Sequence, residues 1–140
     1  MISYFNEDTA FQFKGRRSNN AWLRKVAVLE NRRIGALNII FCSDPYLLTI
    51  NRRYLGHNYY TDIITFDYCE GNVLSGDLFI SVDTVRANAA GYGASFEDEL
   101  RRVMVHGLLH LVGYDDHTPD QQQLMRRKED ESLDLLNQEG

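Results

Sequence analysis

The sequence predicts an α+β fold, a single domain in which about four strands form one mixed sheet packed with about five helices. Three observations carry that expectation. Segments with apolar residues three and four apart are interspersed with short β-branched runs. Two of those runs are joined by a turn too short for a crossover, which makes them an antiparallel pair. A hydrophobic fraction of 44% over 140 residues suffices for one core, with no repeat, linker or low-complexity tract to divide it.

The elements follow in order. Residues 2–6 read as a short strand. Asn19 or Asn20 can cap a helix running to about Arg33, with Trp22, Val26 and Leu29 as its core-facing stripe and Arg32 and Arg33 at its negative end. Residues 37–42, with Ile39, Ile40 and Phe41, form a buried strand. Ser43-Asp44-Pro45 opens a helix to about Tyr54, proline being tolerated in the first turn. Strands over 62–68 and 77–82 flank the Glu70-Gly71-Asn72 turn. Asp83 caps a helix through Ala90, closed by Gly91 and Gly93. Ser95 caps the next, with Glu97, Asp98 and Glu99 in its first turn. Thr118, Pro119 and Gln121 then supply N-cap, N1 and N3 of a final helix towards Leu136, with Arg126/Asp130 and Arg127/Glu131 spaced as i,i+4 pairs.

Composition excludes some classes of function. No apolar run reaches the length of a membrane span. The N-terminal MISYFNEDTAFQFKG lacks a basic start and a long apolar core, so no signal peptide is expected. Cys42 and Cys69 lie far apart and outside any C-x-x-C motif, which suits reduced thiols and a cytoplasmic location. The net charge of −5 argues against generic, charge-driven nucleic-acid binding. Local basic clusters remain, at Arg52/Arg53, Arg101/Arg102 and Arg126/Arg127/Lys128 among others.

The chemistry concentrates in residues 106–117, HGLLHLVGYDDH. Histidines four apart on a helix project from one face and can grip one metal ion. Glu99, Arg102 and Val103 fall on or near the same face as His106 and His110, while Met104, Leu108 and Leu111 point towards the core. Gly113 can end the helix in a turn that swings Asp115, Asp116 and His117 back towards the histidines. A catalytic zinc site needs three protein ligands and one open position. The spacing resembles the metzincin pattern H-E-x-x-H-x-x-G-x-x-H, but Gly107 stands where that pattern has its glutamate base, which argues against peptide hydrolysis.

The stretch from His106 through Asp115 resembles more fully the H-G-x-L-H-L-x-G-Y-D-H hallmark of the YbeY family of bacterial endoribonucleases and rRNA maturation factors. Tyr54-Leu55-Gly56 through Thr61-Asp62-Ile63-Ile64-Thr65-Phe66, Ser75 through Ser81, and Val85 through Ala89 are similar to its other segments, so the resemblance spans roughly residues 37–130. It implies a zinc-dependent endoribonuclease specific for single strands, acting on rRNA precursors at the ribosome in maturation and quality control. The rival readings are a non-catalytic assembly or RNA-binding factor with a structural metal, and another zinc hydrolase. The family's third histidine belongs at position 116, which is Asp116 here, with His117 one later. Thr118, Pro119 and Met125 keep the family register without a gap. This favours His106, His110 and Asp116 as the ligands of one zinc ion, with His117 as the alternative third. A carboxylate in that place makes the site one unit less positive than a third imidazole would, and its bound water less acidic. The family also places an arginine, thought to serve the RNA, where Leu55 stands. Arg52, Arg53 and Arg102 are the cations near enough in sequence or on the histidine face to compensate.

Overall fold

The computed structural model describes residues 1–139, with side chains up to Leu136. Four strands, β1 (Ile2–Asn6), β2 (Arg33–Cys42), β3 (Ile63–Asp67) and β4 (Val73–Ser81), form one sheet in the order β1-β2-β4-β3. β1 and β4 both run parallel to β2, and β3 lies antiparallel to β4 at an edge. The helices are α1 (Arg16–Leu29), α2 (Asp44–Leu55), α3 (Val82–Tyr92), α4 (Phe96–Val112) and α5 (Pro119–Glu139).

Alternation along the strands sorts side chains to two faces. Leu37, Ile39, Phe41, Leu78 and Ile80 join residues of α1, α3, α4 and α5 in the main core. Ile64, with Phe66 and Phe79 against it, meets Leu47 and Ile50 of α2 in a smaller cluster on the other face. The mixed sheet and five helices agree with the expectation from sequence.

Several boundaries differ, each for a tertiary reason. α1 starts at Arg16 behind Gly15, which has φ 78° and no capping side chain. Asn19 and Asn20 are not caps. Asn19 is buried and donates to the Tyr4 hydroxyl (2.8 Å) and the Met104 sulfur (3.4 Å), while the Tyr4 hydroxyl donates to Asn20 (2.6 Å). The helix ends at Leu29, which is 63% exposed, not part of the core stripe. The chain reverses through Asn31, at φ 59°, so Arg33 belongs to β2. There Arg33 and Ile34 pair with Val73 and Leu74 before a bulge. That pairing lengthens β2 and β4 beyond their apolar centres. α3 is capped by Ser81, whose hydroxyl accepts from the Thr84 amide (3.2 Å). Asp83 instead accepts from the Asp44 amide (3.0 Å), tying α3 to the start of α2.

Gly76 is the glycine of the sheet with the least room for a side chain. A Cβ there would lie 2.3 Å from the carbonyl oxygen of Phe66 and 3.2 Å from Leu111. The first neighbour is backbone and cannot rotate away. Gly76→Ala is expected to push β3 off β4 and to cost about 2 kcal/mol or more, as overpacked sites do. Urea denaturation would measure it, and an unchanged midpoint would show that the strand yields freely.

Candidate metal centre

α4 starts behind Ser95, whose hydroxyl accepts from the Asp98 amide (3.1 Å), with three acidic residues in its first turn. His106 and His110 stand one turn apart near its other end, their rings 4.5 Å apart and nearly perpendicular. Their Nε2 atoms are 3.0 Å apart. Gly113, at φ 125°, breaks the helix, and its amide with that of Tyr114 closes on the Leu109 carbonyl. The chain then returns over the histidines. Asp116 Oδ2 lies 3.4 Å from His106 Nε2 and 3.5 Å from His110 Nε2. These three side chains form a group able to hold a metal ion.

The geometry tests that reading. Ligands at 2.0–2.1 Å from a tetrahedral zinc ion lie about 3.4 Å from one another. The three edges, 3.0, 3.4 and 3.5 Å, bracket that value. His117 is not in the group. Gln121 fixes it through a capping box, its Oε1 accepting from the His117 amide (2.9 Å) and the Thr118 amide (3.1 Å). In return, the Thr118 hydroxyl accepts from the Gln121 amide (3.1 Å). The His117 side chain is exposed on the rim of the cleft.

A carboxylate absent from the sequence reading orients the first histidine. Glu129 of α5 is only 6% exposed, and its Oε2 lies 2.6 Å from His106 Nδ1. With the proton on Nδ1, the His106 lone pair sits on Nε2, the nitrogen facing His110 and Asp116. That is the carboxylate–histidine arrangement common behind metal ligands. Arg102 Nη1 donates to the other Glu129 oxygen (2.9 Å) and its Nη2 to Asp130 (2.7 Å). Asp130 therefore pairs with Arg102 across the helices rather than with Arg126, whereas Arg127 and Glu131 pair as expected at 4.0 Å. Burial would lower the basicity of His106, but the Glu129 hydrogen bond and the charges of Glu129, Asp62 and Asp116 outweigh it and raise its pKa. Sequence could have exposed Glu129, because it shares a helical face with the buried Met125 and Ser132.

The group opens into a cleft of about 420 Å³ along the free edge of β3. Asn51 and Leu55 of α2, His57, Tyr59, Asp62 and Asp115 complete much of its wall. Asp62, expected only to bound a strand, is the second residue that sequence reading missed. Burial raises its carboxyl above the usual range, against the pull of the His106 charge. The described lining contains neither lysine nor arginine. Leu55 lines the cleft where the resemblance led to the expectation of an arginine, Arg52 is held by Asn58, Arg53 faces a different hollow, and Arg102 is spent on Glu129 and Asp130. Arg126 lines a smaller hollow on the α5 side, beside His106 and Asp116.

Gly107 is explained by packing. A Cβ there would meet Ile63 Cδ1 at 2.8 Å and Leu78 Cδ2 at 2.9 Å. α4 lies against the sheet at this point, so the glutamate of the metzincin pattern has no room.

Comparison with known proteins gives the family. The family model described as Endoribonuclease YbeY matches residues 3–137. The chain belongs to the YbeY family. The Endoribonuclease YbeY of Bacteroides thetaiotaomicron is 47% identical over 132 residues, covering 94% of this chain and 96% of its own. That of Cytophaga hutchinsonii is 50% identical over 135 residues, covering 96% and 94%. A solution structure of a Thermotoga maritima protein superposes with a TM-score of 0.66 over 99% of this chain and 93% of its own, at 24% identity, which shows the shared fold.

Two predictions follow from the YbeY-type site. Glu129→Gln leaves a neutral partner on His106 Nδ1 and is expected to weaken zinc binding by about 10- to 100-fold, read by competition with a chromogenic chelator; equal affinity would refute the orienting role. In metal-free protein, the raised His106 pKa means that protonated His106 stabilises the fold. That contribution is complete below the ordinary imidazole range, near 6.5, and fades as pH rises through the raised value. Thermal melts in chelator should show it, and Glu129→Gln should reduce it.

Proposed function

We propose that this protein is a metal-dependent endoribonuclease specific for single-stranded RNA, acting in rRNA maturation and ribosome quality control. One zinc ion per chain is held by His106, His110 and Asp116. The observation that carries this reading is the convergence of the three donor atoms at tetrahedral ligand separations, in a chain of the YbeY family. The precursor rRNA and the ribosome as partners, and the cytoplasm as location, follow from the family. No helix among the described residues is long and apolar enough to cross a membrane.

Bound there, the metal would supply a Lewis acid for a phosphate oxygen and an acidified water. The chain's own residues set the terms. Glu129 fixes the His106 tautomer. Asp116 contributes negative charge where a third histidine would contribute none, which shifts the working pH upward. Asp62, with its carboxyl raised by burial, lies in the same cleft and is the group suited to exchange a proton with solvent near the reacting phosphate. Arg126, on the other side of His106, is placed to meet the backbone of a strand that crosses the site.

A second reading has its own support. A cleft wall without lysine or arginine suits a small or weakly charged substrate, so a hydrolase of small phosphodiesters is the competitor.

The test is cleavage of an end-labelled single-stranded RNA by zinc-loaded protein. His110→Ala and Asp116→Ala are expected to lose about 100-fold or more in rate, as does chelation, while Asp116→His retains activity at a lower pH optimum. Arg126→Ala is expected to raise KM and flatten the salt dependence. Hydrolysis of bis(p-nitrophenyl) phosphate without cleavage of RNA would transfer the assignment to the second reading.

A further inference from the structure

α2 divides two openings. Asn51 and Leu55, four residues apart, face the metal cleft. Ile50, Arg53 and Tyr54 face the opposite way, into adjoining hollows between α2 and the far side of the sheet. The larger, about 270 Å³, is lined by Ile50, Tyr54, Phe66, Tyr68, Asp77 and Phe79. The smaller, about 200 Å³, shares Ile50, Tyr54 and Phe79 and adds Tyr46, Thr49 and Arg53.

The rings are ordered. Phe66 is the pivot, edge-to-face with Phe79 (5.8 Å, 85°) and with Tyr54 (6.0 Å, 88°). Tyr54 and Tyr68 are nonetheless 63% and 59% exposed. Two large aromatic side chains therefore stand open to solvent on a supported aromatic floor. Among the described residues Arg53 has no carboxylate partner. Asp77 at the floor accepts from Asn38 through Oδ1 (2.9 Å), which leaves Oδ2 for another donor.

The groove lies across α2 and β3 from the metal cleft. Leu55 and Asp67 line the cleft, while their chain neighbours Tyr54 and Tyr68 line the groove. Consecutive residues at the end of α2 and at the end of β3 thus serve the two openings from opposite sides, so a strand leaving the cleft reaches the groove by passing around these ends.

We propose that this groove is a stacking subsite for the bases of single-stranded RNA beyond the cleavage point, a proposal that rests on the ribonuclease reading above. Tyrosine faces take bases of any sequence, and an arginine beside them meets the connecting phosphate. The lone carboxylate repels phosphate but accepts from an exocyclic amine, so Asp77 orients amino-bearing bases inward and keeps the backbone at the rim. A duplex cannot offer its base faces to such a groove, so the subsite selects unpaired RNA.

The test uses the full chain carrying His110→Ala, which prevents turnover, and a fluorescein-labelled 12-nucleotide single-stranded RNA read by anisotropy. Adding Tyr54→Ala and Tyr68→Ala is expected to weaken binding at least about tenfold, whereas Tyr54→Phe with Tyr68→Phe, which keeps both ring faces, should retain it. Both tyrosines are largely exposed, so the fold should persist, and circular dichroism would check it. With His110 intact, cleavage of a four-nucleotide RNA should be equal in the wild type and the alanine pair, while the advantage of the longer substrate disappears. Equal affinity of the alanine pair and its parent, both folded, overturns the subsite while leaving the ribonuclease reading standing. Absence of both binding and cleavage in the wild type overturns the two together. A dimer by sedimentation that the alanine pair dissociates would make the groove an interface between copies of the chain, and would also overturn the proposal.

Discussion

Helix α4 is buried on nearly every side, and the protein is arranged around it. Leu100, Val103, Met104, Val105, Leu108, Leu109 and Leu111 are all within the main core. Such a helix can carry polar side chains only where the surrounding elements leave a gap. The gap lies at its C-terminal end, over the edge strand, and His106 and His110 project into it. Gly107 lets the helix approach β3 and β4 closely enough for the cleft to form along that edge. The metal group, the missing peptidase base and the open strand edge are consequences of one packing arrangement.

Burying a carboxylate behind His106 has an electrostatic cost that Arg102 offsets. Glu129 accepts from the guanidinium and from the imidazole, so both its oxygens are satisfied in a nearly dry place. Arg102 in turn reaches Asp130 on the surface. The chain of charges runs from solvent to the metal group through α4 and α5, and it fixes how these helices face each other. The indole of Trp22 donating to the Ser132 carbonyl (2.7 Å), and Lys128 pairing with Glu30 (3.2 Å), hold α5 in the same register from α1. Misplacement of α5 would therefore disorient His106.

The distribution of positive charge separates this chain from the family pattern it resembles. Its cleft wall carries Leu55 where an arginine is expected, and the neighbouring arginines are drawn elsewhere by asparagine and carboxylate partners or by helix geometry. Arg126 lines a hollow on the α5 side and Arg53 one beyond α2, both outside the cleft itself. Binding then leans on groups that recognise unpaired bases rather than on a dense basic track. That agrees with an acidic protein whose net charge is −5.

By itself the sequence determined the layered α+β architecture, the antiparallel β3–β4 pair, the caps at Ser43, Ser95 and Thr118, and the i,i+4 histidines. These depend on local periodicity and on side chains bonding backbone a few residues away. Where a polar residue had a distant partner, local reading failed. Asn19 and Asn20 were drawn to Tyr4, Asp83 to Asp44 and Asp130 to Arg102. Position 116 opposite the histidines was legible from the unbroken register, but the return of its carboxylate to their Nε2 atoms was decided by the Gly113 turn and the capping box of α5. Glu129 and Asp62 come from elements remote in the chain. Only the packing of α5 and β3 against α4 brings them to His106, because burial and charge pairing act through space and leave little trace in neighbouring residues.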